Sequence, residues 1–207
     1  MAYSPMEGLS EGLESASEFF NRAEEHREYA IRSSRDIIRR SKKIIHSIHE
    51  GEDCSEDADK IAEEIRRLVS GLAEEPSVLY SGPAADAMSE YAEAAILGSM
   101  LEKGTVPTHT ALGITEPSWA LGLADSVGEL RRVALKCLMA GDMERAMTVY
   151  RMMEEVTDGL LMFDVPDAVA PMRRKQDIAR GIMERTRSDI AIAAVMSEKQ
   201  IERGFPR

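Results

Sequence analysis

From Ala16 to Glu50 the chain contains no Gly and no Pro, and this uninterrupted run constrains the fold more than any other feature. Within it Ile31, Ile38 and Ile45 recur every seven residues, flanked by Ile37, Ile44 and Ile48. An apolar stripe at that period marks an amphipathic helix, whereas a half-buried strand alternates every second residue. A helix this long needs partners to cover its stripe, so the chain must be a bundle. Composition agrees. Apolar residues make up 43% of the chain but aromatics only 5%, with Ala, Leu, Met, Glu and Arg abundant. Sheets favour β-branched and aromatic residues, and helices favour the set found here. At 207 residues the chain reads as one all-α domain, 1–207.

The remaining punctuation divides the chain into six or seven helices. The first, from about Ala16 to Glu50, ends at Gly51, and a second is expected from Ala58 to Ser70 before the break at Pro76. A third begins at Gly82 or Pro83, a favourable first-turn residue, and runs to Lys103. Gly104, Pro107, Gly113 and Pro117 mark a connector with one helical turn. A fourth helix spans Pro117 to Met139 and stops at Gly141. Asp142 caps a fifth, which reaches about Phe163 before Pro166 breaks it. A final helix is expected from Asp167 to about Arg203, with Pro171 tolerated in its first turn. Leu123, Leu130 and Cys137 share a heptad position and read as bundle core. Cys54 and Cys137 have no metal-binding spacing and point to a reducing, cytoplasmic setting. No apolar run approaches the ~18 residues of a membrane span, so no membrane partner is expected.

The net charge of −11 argues against a protein that coats nucleic acid with its whole surface. The charge is uneven, however. Residues 22–49 hold eight Lys or Arg against four acids, and residues 172–187 hold six against two. Arg32, Arg35, Arg39, Lys42, His46 and His49 step by three and four along the first helix as one basic stripe. Such a stripe can track phosphates, giving salt-dependent and sequence-tolerant binding, and it is equally a common form of solvated helix face. Arg173, Arg180 and Arg187 repeat every seven residues in the last helix and invite the same two readings.

Two acidic pairs stand in less polar company. Glu90 and Glu93 are one turn apart within Ser89-Glu-Tyr-Ala-Glu-Ala-Ala-Ile-Leu97. Asp125 and Glu129 are one turn apart within Leu121-Gly-Leu-Ala-Asp-Ser-Val-Gly-Glu-Leu-Arg131. If the two helices pack together, four carboxylates converge. A divalent cation relieves the repulsion among crowded carboxylates, and oxygen-only ligands suit Mg²⁺ or Mn²⁺. Such a site could assist phosphodiester hydrolysis. Either pair alone also fits a solvated face or ion pairs with Arg131 and Arg132. A ferritin-like di-iron site is excluded, because none of His26, His46, His49 and His109 follows a Glu by three residues.

Taken in order, these segments resemble the translin family. The residues that carry the likeness are Arg32-Ser-Ser-Arg-Asp36, Ser41-Lys42 with Ile45-His-Ser-Ile-His49, Leu79-Tyr-Ser-Gly82, Glu90-Tyr-Ala-Glu93, Leu121-Gly-Leu-Ala-Asp125, Gly128-Glu-Leu-Arg131 and Arg174-Lys-Gln-Asp177. The resemblance covers about Arg27 to Ala194 and lies nearest the branch of translin-associated factor X (Trax). It implies a seven-helix fold that assembles into a hollow, barrel-like oligomer around RNA or single-stranded DNA. It further implies Mg²⁺-dependent endoribonuclease action on the catalytic branch, with Glu90, Glu93 and Asp125 at the acidic positions and Glu129 nearby. Arg32, Arg35, Arg39, Lys42, Arg173 and Arg180 are the candidate nucleic-acid contacts. The short connector after Lys103 points to an archaeal member forming a homo-oligomer, octamer-like by this resemblance. The alternative is a non-catalytic RNA- or single-strand-DNA-binding assembly. A third reading is an all-α nucleoside-triphosphate pyrophosphohydrolase. It would need a second acidic pair of different spacing.

Overall fold

The computed structural model describes residues 6–202, and among them every regular element is helical. In chain order these are α1 (Leu9–Glu50), α2 (Ser55–Gly71), α3 (Pro76–Leu79), α4 (Gly82–Lys103), α5 (His109–Leu112), α6 (Glu116–Met139), α7 (Met143–Leu161) and α8 (Met172–Glu202). The all-α bundle expected from periodicity is therefore present, with α3 and α5 as one-turn additions.

The boundaries depart most from the sequence reading at the starts of α1 and α8, and α2 begins at Ser55 rather than Ala58. Helix α1 begins at Leu9 rather than Ala16, because Gly12 within it costs only about 1 kcal/mol and does not break a helix. From Leu9 to Arg22 every residue but Ala16 is exposed, including Leu9, Leu13, Phe19 and Phe20. Helix α8 begins at Met172 rather than Asp167. Proline disfavours the helical region for the residue before it, so Pro171 holds Ala170 out of the helix and α8 starts one residue later. The expected end at Arg203 lies outside the described residues.

Side-chain pairs fix the direction of each helix. Lys43 to Asp57, Arg40 to Glu64 and Tyr29 to the Arg67 carbonyl set α1 and α2 antiparallel. Lys42 faces Glu90 and Ile48 faces Gly98, so α4 runs with α1. Ser118 donates to the Ala85 carbonyl at 3.2 Å and Gly122 lies against Ser89, so α6 runs with α4. Arg131 reaches Thr186 and Asp189 while Asp125 meets Lys175, so α8 runs with α6. Helix α7 returns antiparallel, with Arg187 of α8 against Tyr150 and Glu154. Helices α1, α4, α6 and α8 thus share one direction.

The connector from Gly104 to Thr115 must therefore travel back along α4, a return of about 30 Å at 1.5 Å per residue. A dozen residues reach roughly 40 Å when extended, which leaves room for little more than the single turn of α5. Trp119 pins this connector through its indole N–H, which donates to the Pro107 carbonyl at 2.8 Å.

One apolar cluster runs through the bundle, and α4 packed on α6 makes its largest interface. Ile37 and Ile44 of the α1 stripe are buried in it, as are Leu123, Leu130 and Cys137 at the heptad positions of α6. The approach of α4 and α6 depends on Gly122. A Cβ added there would stand 2.5 Å from the Ser89 carbonyl oxygen, 2.6 Å from the Ala92 Cβ and 2.8 Å from the Glu93 amide nitrogen. Only a residue without a side chain fits. That contact sits between the two acidic pairs.

Candidate functional site

Because α4 and α6 run side by side, Glu90 and Glu93 of α4 face Asp125 and Glu129 of α6. The juxtaposition is visible in the electrostatics of Glu93. Burial, and then the negative charges of Asp125, Glu90 and Glu129, push its carboxyl from 4.5 up to about 8, with Lys175 acting in the opposite sense. At neutral pH Glu93 therefore holds its proton, while the surrounding acids carry the charge.

Glu90, Glu93 and Glu129 line one cleft of about 330 Å³ together with Lys42, Ile45, His46 and Arg132. Each acid around Glu93 has a basic partner drawn from a different helix. Lys175 of α8 donates to both oxygens of Asp125, at 2.5 and 2.7 Å. The ring of His49, fully buried, bonds to Glu129 through Nε2, and Arg132 stands 3.8 Å from the same carboxylate. Lys42 lies 3.6 Å from Glu90 and is itself 64% exposed. Among the described residues Glu93 is the member with no such partner.

His49 corrects the sequence reading. It continues the three- and four-residue steps of the basic stripe of α1, yet it faces inward, because those steps drift around the helix and carry the last of them onto the core side. Its carbonyl accepts from Lys136 at 2.6 Å, and Lys136 also pairs with Glu50 at 3.1 Å. The rest of the stripe is exposed as expected. Arg32 and Arg35 are engaged in no ion pair among the described residues, Arg39 is held by Asp36 at 2.8 Å, and Lys42 reaches the cleft. Arg173 and Arg180 are exposed on α8, where Arg173 lies 3.5 Å from Asp164 and Arg180 lies 2.7 Å from Asp177. Arg131 does not pair with the acids, since it crosses to Asp189. Lys175 is the site residue that spacing does not point to, whereas His46 of the basic stripe lines the cleft and Arg132 pairs with Glu129 as its position one turn on suggests.

The donor set fits a hard divalent cation in its chemistry: the acids offer carboxylate oxygens only, and burial followed by the neighbouring negative charges holds one of them neutral. Among the described residues no three His, Cys, Asp or Glu side chains are arranged to hold one ion together. Asp125 and Glu129 are instead turned toward Lys175 and His49. Loading such an ion would require those partners to yield. The two thiols contribute nothing here, since burial raises both Cys54 and Cys137 and keeps them protonated. No helix among the described residues is long and apolar enough to cross a membrane.

The fold and the cleft together define an all-helical protein with an acidic centre set beside a basic helix face. The Translin family model matches residues 25–186, and the chain belongs to that family. An uncharacterised protein of Methanocaldococcus jannaschii is 36% identical over 168 residues, which are 79% of this chain and 74% of that one. The crystal structure of AfC3PO is 33% identical with a TM-score of 0.79, covering 89% of this chain and 97% of that chain. AfC3PO in complex with duplex RNA is also similar, at 30% identity, a TM-score of 0.71, and coverage of 89% and 97%. Apo-NeC3PO shares the fold, with a TM-score of 0.77 at 20% identity and coverage of 93% and 100%.

Proposed function

We propose that this chain binds RNA and, as a homo-oligomer of octamer-like form, cleaves it hydrolytically at the acid-lined cleft between α4 and α6. The observation that carries the reading is Glu93, pushed up to about 8 within a cleft that also presents Lys42 and Arg132. Structural ion pairs seldom leave one acid of a group buried and without a basic partner, whereas sites that handle protons or cations need one. The similarity to AfC3PO, which has been solved with duplex RNA, supports the choice of RNA as the bound polymer. Single-stranded DNA shares the phosphate backbone and is the second polymer the reading admits.

In this reading Glu90, Glu93, Asp125 and Glu129 hold Mg²⁺ or Mn²⁺. When bound, the ion would neutralise the acids and supply Lewis-acid assistance to phosphodiester hydrolysis. The protein's own groups perform the remaining tasks. Lys42 and Arg132 at the cleft attract and orient phosphate. Arg39, Arg35 and Arg32 extend that positive track along α1, one turn after another, and Arg173 and Arg180 add exposed positive charge on α8. Glu93 holds a proton at its carboxyl until a cation or a base draws it off. His49 fixes the carboxylate of Glu129 from beneath.

A labelled RNA incubated with the protein in Mg²⁺, with EDTA as the control, tests this directly. The expected result is metal-dependent cleavage that is lost in Asp125→Asn and Glu93→Ala, while binding of uncleaved RNA persists. The non-catalytic reading is favoured by the engagement of Asp125 and Glu129 with Lys175 and His49. Binding without metal-dependent products would replace the hydrolase reading with that one, and cleavage undiminished in both variants would refute the acid-lined cleft as its centre.

A further inference from the structure

We propose that Lys175 is the resident counter-cation of Asp125 and competes with a divalent cation for that carboxylate, a role that rests on the hydrolytic reading above. Of the basic groups facing the acids, Lys175 makes the most complete contact. Its ammonium donates to both Asp125 oxygens, at 2.5 and 2.7 Å, with only 28% of the lysine side chain exposed. Lys42, by contrast, stands 3.6 Å from one oxygen of Glu90 and is largely in water, where such a pair contributes little.

The position of Lys175 is imposed by its neighbours rather than chosen by its flexible stem. Met172, at the start of α8, is buried in the core. Gln176 is buried as well, and its amide donates to the Leu160 carbonyl at 2.8 Å and the Phe163 carbonyl at 2.7 Å. These contacts clamp the first turn of α8 onto the end of α7. The residue between them is thereby aimed at α6, directly onto Asp125.

Two cations cannot share one carboxylate at contact distance without strong mutual repulsion. Because Lys175 occupies both Asp125 oxygens, an ion that takes either of them must displace the ammonium from it, and the lysine weakens ion binding by that lost contact and the remaining repulsion. The same lysine keeps the ion-free acid cluster partly neutralised. Lys175 is thus a positioning residue that holds Asp125 ready and sets the cation concentration at which the site fills.

The test is Mn²⁺ binding to the RNA-free protein, followed by titration calorimetry and by the Mn²⁺ electron paramagnetic resonance signal, with no catalytic readout. Lys175→Met keeps the length of the stem and removes the charge, and it should bind Mn²⁺ about tenfold more tightly than the natural chain. Lys175→Arg should bind like the natural chain, and Asp125→Asn should bind weakly. Lys175→Gln repeats the measurement if the methionine variant aggregates. Unchanged or weaker Mn²⁺ binding in a folded Lys175→Met, with binding still lost in Asp125→Asn, overturns the role of Lys175 alone. If Asp125→Asn does not weaken Mn²⁺ binding, the acid cluster is not a cation site, and both this proposal and the metal-dependent reading fail.

Discussion

Replacing Gly122 with Ala sets two effects of opposite sign against each other. Alanine is the better helix former, so in an open helix the change would stabilise by about 1 kcal/mol. At Gly122 the new methyl would lie 2.5 Å from the Ser89 carbonyl oxygen and 2.8 Å from the Glu93 amide nitrogen, where ordinary contacts are 3.4–4 Å. Both obstacles are backbone, which cannot rotate away, so α4 and α6 would have to part by about 1 Å along the largest interface of the bundle. Overpacking of this kind costs roughly 1–3 kcal/mol, and a rigid obstacle puts it at the upper end. The net expectation is a destabilisation of about 2 kcal/mol, or a fall in Tm of about 4–8 °C for a chain of this size. Gly128 on the same helix is the internal control. A Cβ there meets only the Ile182 Cδ1, at 3.9 Å, so Gly128→Ala should gain stability. Thermal and urea unfolding at one fixed protein concentration would compare the three chains, because assembly makes Tm depend on concentration. A Gly122→Ala variant as stable as the natural chain, beside a stabilised Gly128→Ala, would refute the claim that this contact sets the helix spacing.

Glu93 gives a pH signature. Its folded value of about 8 lies above the ordinary 4.5, so between those values the folded chain keeps a proton that the unfolded chain has released. Stability assigned to this group is therefore fullest below 4.5, declines as pH rises, and levels off above about 8. Glu93→Gln should remove that decline and exceed the natural chain at alkaline pH by on the order of a few kcal/mol, read as Tm against pH in EDTA. Equal pH profiles would show that Glu93 titrates normally. Arg32 and Arg35 stand exposed on α1, and replacing either with Ala should lower the slope of log affinity against log salt for RNA by about 1. An unchanged slope in both would remove the α1 face from the binding surface.

Much of the architecture could be read from spacing within helices. The seven-residue recurrence of Ile31, Ile38 and Ile45 exposed α1, and the three- and four-residue spacings of the acidic pairs placed each on one face. Those spacings are local, set by 3.6 residues per turn. What they do not contain is the rotation of one helix against another. His49 continues the arithmetic of the basic stripe, yet a small drift around α1 carries it under Glu129 and out of solvent. Lys175 meets Asp125 from fifty residues away, a contact fixed by how Met172 and Gln176 seat α8. The start of α8 shows a third kind of limit. Pro171 is acceptable inside a first turn, and the same proline restricts Ala170 before it, so residue type alone leaves both starts open and the structure places Pro171 just outside α8.

The division of charge within the cleft also bears on how the chain is made. All four acids lie in α4 and α6, while His49 and Lys42 precede them and Lys175 follows fifty residues after Asp125. A nascent chain that has emerged only through α6 has its acids and three of their partners, Lys42, His49 and Arg132, but not the lysine that balances Asp125. Closing α4 on α6 at that stage would bring like charges together, with nothing to offset the last of them. Docking of α8 thus supplies the positive charge that balances Asp125. A chain truncated before Lys175 carries that uncompensated charge permanently.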